Sequence, residues 1–383
     1  MKTFATCCFV LLFSASVFAQ PVSKNWDTAL LVQGYPVHSS PLSISGIGFN
    51  NPSFLSRFNG ISAGISYQYG FTIDNAYIGG FTGKSLVNGL PYSAALTYQT
   101  GDFHIGAAIT QKYNLRIDSG PVETTTVQNP DGTGETGNLI MDRDIHDYSV
   151  ISSYNIKELP GNNSLSLGLR ISLGSLSYCD NNTFGPTPIS TETSDYAMAF
   201  AFGSDYKFVT GYGDFHLGAY FEKGYGFRKF VHIEFDKKTM SGPDGRVYYL
   251  TDPSYNLEIS TPDALRFDAD YESSNFRFTA NMSEIFWKNI SEDYKNSLDI
   301  SAGAIYKTSD VLSLFFDASM NDRKYADNFP NYFSKEYNAL FLTMGADAAY
   351  GSYTFGLSVS DSHLFSAETR KQTLARLALG YQF

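Results

Sequence analysis

Long apolar runs are scarce in this 383-residue sequence. Beyond residues 4–18, nothing approaches the roughly 18 consecutive apolar residues of a membrane-spanning helix. Cysteine is nearly missing, with three residues, two of them at positions 7 and 8, so a disulfide framework is excluded and Cys179 is left as a lone thiol. Basic side chains number 27 against 38 acidic ones, a formal charge of −11 with no basic stripe, which excludes a nucleic-acid-binding surface. Tryptophan occurs twice, whereas tyrosine and phenylalanine reach 27 and 31. With 43% hydrophobic residues the chain is also too apolar to stay disordered.

The one apolar run reads as a leader. Lys2 supplies a positive charge, Phe4–Phe18 is apolar or small apart from Thr6, Ser14 and Ser16, and Val17-Phe18-Ala19 puts compact residues before Gln20. This pattern predicts a secretory signal peptide over residues 1–19 and hence an exported chain.

From residue 60 onward, hydrophobicity repeats every second residue. Ile61, Ala63, Ile65, Tyr67, Tyr69 and Phe71 alternate with Ser62, Gly64, Ser66, Gln68 and Gly70. Leu165, Leu167, Leu169, Ile171 and Leu173 alternate with Ser166, Gly168, Arg170, Ser172 and Gly174. Successive side chains of a strand point to opposite faces, so each such segment has one apolar and one polar wall. Strands are predicted near 60–71, 90–100, 103–116, 147–156, 164–178, 196–206, 213–228, 264–272, 275–288, 296–307, 311–321, 337–350, 352–361 and 370–383. Their number, fourteen, is even. Short links such as Gly101-Asp102, Ser273-Ser274 and Gly351 alternate with long ones such as 72–89, 117–146 and 229–263. Outer-membrane barrels with both termini in the periplasm have this arrangement.

The last strand carries Ala375, Leu377, Leu379, Tyr381 and Phe383 on one face. It resembles the signature read by the barrel assembly machinery of Gram-negative bacteria. The expected fold is all-β: a 14-stranded antiparallel transmembrane β-barrel over residues 60–383, closed because an open sheet edge is not tolerated in lipid. Tyr and Phe near strand ends would form interfacial girdles, with Trp287 at an outer strand end. Residues 20–59 precede the first strand and carry Leu30-Leu31-Val32, Ile44, Ile47 and Phe49. They are too apolar for an idle tail and are expected to form an N-terminal hatch inside the lumen.

Gly48-Phe49-Asn50-Asn51-Pro52-Ser53-Phe54-Leu55-Ser56, followed by the first alternating strand, resembles the FNPAGLA segment of FadL-type outer-membrane transporters of hydrophobic compounds. Leu90-Pro91-Tyr92 and Gly101-Asp102 leading into Phe103–Asn114 are similar to that family's second and third strands, and Thr261-Pro262-Asp263-Ala264-Leu265 is a third match. The resemblance departs at Ser53, where the family has Ala. It implies passive uptake of hydrophobic molecules, such as long-chain fatty acids or hydrocarbons, through the outer membrane. It also implies a pocket lined by the hatch residues Phe49, Asn51, Pro52, Phe54 and Leu55. Exit would be sideways, through a gap at a kink in the third strand, for which Gly106, Ala107 and Ala108 are small enough. A FadL-like barrel serving as a docking or shuttle component of a secretion system is an alternative.

The alternation places Arg170, Arg266, Arg277 and Arg376 in the lumen, with Asp268, Asp270, Asp299, Asp317 and Asp347. An arginine there could grip a ligand carboxylate in bidentate fashion. The simpler reading is a set of pairs that stiffens the barrel and anchors the hatch. No catalytic site, metal site or cofactor is expected: the six histidines form no metal-spaced pair. Gly60-Ile61-Ser62-Ala63-Gly64 spells a nucleophile elbow, but the alternation runs straight through it where a strand-to-helix turn is required. Asp144 and His146 would be the pair of a rim hydrolase and read more simply as the base of a loop. The expected partners are hydrophobic small molecules, membrane lipid and the assembly machinery.

Overall fold

The computed structural model describes residues 44–72, 75–78, 81–86, 88–118, 122–128, 134–182, 189–232, 239–241, 247–249, 254–290, 295–321, 339–361 and 372–383. The expected leader, residues 20–43 of the expected hatch and much of the long connections lie outside the described residues.

Period-two alternation becomes a single closed sheet. Its strands are β1 (Ile61–Thr72), β2 (Asn88–Thr100), β3 (Phe103–Asp118), β4 (Leu139–Leu159), β5 (Asn163–Asn182), β6 (Ile189–Val209) and β7 (Asp214–Glu222). They continue as β8 (Ala264–Glu272), β9 (Phe276–Ile285), β10 (Ser297–Lys307), β11 (Leu312–Asn321), β12 (Ala339–Tyr350), β13 (Tyr353–Asp361) and β14 (Gln372–Gln382). Each strand pairs antiparallel with its chain neighbours, and β14 pairs back onto β1 from Thr72↔Gln372 to Ser62↔Gln382, so the wall is a closed up-and-down barrel of fourteen strands. A hairpin, Asn75–Ile78 with Phe81–Leu86, adds to the far end of β3. Among the described residues no helix is long and apolar enough to cross a membrane.

The two walls are sorted inside-out. Ile65, Leu96, Ile109, Val150, Ile171, Phe200, Phe267, Phe316 and Leu377 face outward and are exposed, whereas Ser66, Thr97, Ser149, Ser172, Asp268, Asp317 and Thr343 face the bore and are buried. Such a surface is stable only against lipid. At the end with short turns, outward rings touch across neighbouring strands. Phe208 meets Phe215 at 5.0 Å between centroids, Phe215 meets Tyr271 at 4.6 Å, Phe276 meets Tyr306 at 4.8 Å, and Tyr353 meets Tyr381 at 4.8 Å. These rings form a girdle. The turns beneath it are tight: Gly101 and Gly351 adopt φ of 62° and 58°, a backbone shape that favours glycine.

Several expectations need correction. Trp287 stands at the outer end of β9 as expected, but it is buried in a short 3-10 turn just past the strand, 4% exposed, with its Nε1 donating to Ser297 Oγ at 3.0 Å. The seventh strand stops at Glu222 and does not run to 228. A Cβ at Gly224 would lie 2.0 Å from the Thr261 carbonyl oxygen, so the chain turns there and continues as a separate hairpin, Gly226–His232 with Ser254–Ser260. β4, β5 and β6 are 21, 20 and 21 residues long, well beyond the roughly 9–11 needed to cross a bilayer. The surplus lies at the long-connection end, where that hairpin buries Tyr225, Phe227, Val231, Leu257 and Ile259. Tyr225 fits against Gly174 on the inner face of β5, and the Arg228 amide donates to Asp195 of β6.

Candidate functional site

A segment of the chain before β1 occupies the bore near the short-turn end. Residues 44–46 and Pro52–Arg57 form two 3-10 turns. The second begins where the sequence dictates. The Asn51 side chain accepts from the Ser53 amide at 3.1 Å and from Ser53 Oγ at 2.7 Å, and Pro52 at the first helical position forgoes an amide that would have no partner anyway. Asn51 Nδ2 then donates to the Ser204 carbonyl of β6 at 3.0 Å, tying the turn to the wall.

The wall is shaped to receive it. Gly168 of β5 and Gly203 of β6 stand directly opposite one another. A Cβ on Gly168 would lie 2.2 Å from the Ser53 nitrogen, and one on Gly203 would lie 2.1 Å from Asn51 Oδ1. The two absent side chains are the recess in which Asn51–Ser53 rests. On the neighbouring strands, Ile47 and Leu55 bury against Ala95, Ala108 and Ile151, which interrupt the otherwise polar inner face. Ser56 Oγ donates to Ser166 Oγ at 2.8 Å, and His104 Nδ1 lies 3.1 Å from the Phe58 carbonyl.

Charge closes the short-turn side of this seat. Arg57 grips Asp205 with two parallel hydrogen bonds of 3.0 and 2.8 Å and reaches Asp270 at 2.6 Å. Burial works against the Arg57 charge, but Asp205 and then Asp270 outweigh it and hold the guanidinium above its ordinary pKa. Arg277 also donates to Asp270, at 2.8 Å, and His216 Nδ1 lies 3.2 Å from Asp205. Arg57 did not emerge from the sequence, because it is a single cation in a segment without periodicity.

The four lumen arginines all face inward and all have wall or segment partners. Arg170, 1% exposed, donates to the Asn50 carbonyl at 3.0 Å and pairs with Glu222 at 3.2 Å. Arg266 donates to Ser283 Oγ at 2.6 Å, and Arg376 donates to Gln68 at 2.8 Å. These are the stiffening and anchoring contacts of the simpler reading. Of the expected pocket residues, Asn51, Pro52, Phe54 and Leu55 line one gap together with Ile47, Asn50, Phe58 and Ile151. The gap leaves no room for even a water-sized sphere, so as it stands it holds no ligand. Phe49 is placed elsewhere, its carbonyl accepting from Tyr220 Oη at 3.3 Å.

The expected kink at Gly106, Ala107 and Ala108 is not there. Gly106 pairs with Thr97 and Ile151, Ala107 with Leu96 and Val150, and Ala108 with Ala95 and Ser149, without interruption. Gly106 is small for another reason: a Cβ there would meet Ile47 and Leu55 at 3.2 Å. The irregularity comes at Lys112, an extra residue that shifts the β3–β4 register between Gln111 and Tyr113. The β2–β3 ladder ends at Ser93↔Thr110, and β3 next pairs on that side only at Arg116, with the attached hairpin. Among the described residues, 111–115 of β3 have no strand partner on that side, and the described wall is interrupted there.

Asp144 and His146 do meet, at 3.2 Å, and Gln111 donates to the same carboxylate at 3.3 Å. Ser62 lies within β1, paired with Gln382 and Thr97 and buried toward the bore, so the elbow-like letters form ordinary strand. Among the described residues no group of three or more His, Cys, Asp or Glu side chains could hold a metal ion.

A closed fourteen-stranded barrel with a chain segment seated in its bore defines a class of membrane β-barrel, and solved structures share the fold of this chain. No protein-family model and no curated relative matches the sequence. The chain has the FadL/TodX-like fold. It superposes on the toluene transporter TodX of Pseudomonas putida with a TM-score of 0.61 at 14% identity, covering 92% of this chain and 98% of that one. The toluene transporter TbuX of Ralstonia pickettii gives 0.59 at 12% identity, covering 93% and 97%. A Pseudomonas aeruginosa FadL homologue gives 0.60 at 13%, covering 94% and 98%.

Proposed function

We propose that this protein is a passive outer-membrane transporter for hydrophobic molecules, in which the inner segment acts as a hatch and the wall break beside β3 is the lateral exit. The observation that carries the reading is the position of that break. Residues 111–115 lie a few residues along β3 from Ala108, against which the inner segment rests. A ligand released from the hatch has only a short path to the opening. Moving sideways into lipid is favoured over periplasmic water by about 0.8 kcal/mol per buried CH₂, so no energy source is required. TodX and TbuX are toluene transporters, which supports an apolar ligand, and hydrocarbons and long-chain fatty acids are the classes proposed here. No chemical conversion of the ligand is involved. Insertion would use the assembly machinery that reads the terminal strand.

The closed gap beside the inner segment implies that the hatch must shift before a ligand fits. Ser56 and Ser166, with oxygens 2.8 Å apart, offer a site to prevent this. In a Cys179→Ser background, the S56C/S166C pair is oxidised and the protein reconstituted in liposomes. Uptake of labelled toluene or oleate should fall to the protein-free background and return on reduction. Unchanged uptake in the cross-linked protein defeats the hatch mechanism.

A further inference from the structure

We infer that Glu222 links the wall break to the inner segment, so that opening of one and displacement of the other are a single event. This deepens the proposed transport reading and rests on it for its purpose, though not for its test.

The link can be followed atom by atom. Lys112 is the extra residue of the β3 bulge, and bulges commonly re-aim a side chain. Here the side chain turns into the bore, 13% exposed, and its Nζ pairs with the carboxylate of Glu222 at the end of β7. Three strands, β4, β5 and β6, separate the two residues around the wall, so the pair reaches across the bore and does not bridge neighbours. Nζ also stands 5.5 Å from the Tyr225 ring of the outer hairpin. Glu222 receives Arg170 as well, at 3.2 Å, and Arg170 in turn donates to the Asn50 carbonyl at 3.0 Å. Asn50 directly precedes the Asn51–Ser53 stretch seated on Gly168 and Gly203.

One carboxylate therefore lies between two cations, one belonging to the broken part of the wall and one holding the inner segment. Arg170 is almost fully buried and Lys112 largely so. Without the carboxylate, two like charges face each other in a medium that screens them poorly. If the inner segment moves, the Asn50 carbonyl leaves Arg170 and the guanidinium is free to draw Glu222 away from Lys112. If the wall opens at Lys112, the same carboxylate is released toward Arg170. Either motion favours the other, which is the thermodynamic content of coupling. Glu222 is a positioning residue here, acting on ligand passage only through its two partners.

Hydrogen exchange reads this directly, using the S56C/S166C protein in lipid nanodiscs. With Glu222 present, oxidising the disulfide should slow exchange of the 111–115 amides about tenfold, a typical coupling strength. Glu222→Gln, nearly the same size, should abolish that response while the protein keeps the heat-modifiable electrophoretic mobility of a folded barrel. Lys112→Met removes the other arm of the link and should abolish it too, so the test survives if either variant misfolds. The inference is overturned if oxidation leaves 111–115 unchanged in the Glu222 protein, or if both variants retain the response. Uptake of labelled toluene by the reduced protein is measured alongside. Its absence would sink the transport reading while leaving the exchange result intact.

Discussion

Arg57 shows how one side chain can decide the position of a whole segment. Its two hydrogen bonds to Asp205 and its contact with Asp270 fasten the inner segment to β6 and β8 at once. Arg57→Met takes one partner from each carboxylate but leaves Arg277 on Asp270 and His216 beside Asp205, so the cost should stay below the about 3–5 kcal/mol of a buried pair broken outright. Residues 47–55 should then exchange amide hydrogens far faster, with the barrel strands little affected. Gly168 supports the same seat by what it lacks. In Gly168→Ala the new methyl meets the Ser53 nitrogen and the Pro52 carbonyl carbon, both of them backbone, so the segment must lift, at roughly 1–3 kcal/mol. A cysteine at position 53, buried in the parent, should become reactive to a thiol reagent in that background.

Elements were legible wherever one face is apolar and the other polar. β1, β8 and β13 fall within two residues of where alternation places them, and turn chemistry at Gly101 and Gly351 fixes the links. The outer halves of β4 and β6 were not legible. Asp142-Arg143-Asp144-Ile145-His146-Asp147 and Thr191-Glu192-Thr193-Ser194-Asp195 carry no apolar alternation; Ile145, Asp147 and Thr191 are buried, and Asp195 accepts from the Arg228 amide of the outer hairpin. The seat of the inner segment did leave a trace, since Ala95, Ala108 and Ile151 stand in the polar phase of their strands. The bulge left none: Gln111-Lys112 reads as two polar residues in sequence, and only backbone pairing shows that one of them is supernumerary. Deleting Lys112 makes the β3–β4 register continuous and removes the bend that separates β3 from β2. The variant should fold as a barrel and take up labelled toluene no faster than empty liposomes; undiminished uptake would move the exit elsewhere.

At the scale of the whole molecule, polar-in and apolar-out sorting makes the protein a solute of lipid. Leu377 is 55% exposed in the outward belt, paired with Tyr67 on one side and Leu357 on the other. Leu377→Arg should cost about 2–4 kcal/mol if it lies near the bilayer midplane, measurable as a lower midpoint of urea unfolding from liposomes. The superposition at 12–14% identity says what this sorting conserves. The overall fold is kept while most side chains differ.

The three tall strands have a further effect. β4, β5 and β6 are more than twice the length of β7, β8 and β13, which have nine residues each, so the described sheet stands taller over that quadrant than over those strands. On that side the sheet itself, and not loops alone, projects past the membrane.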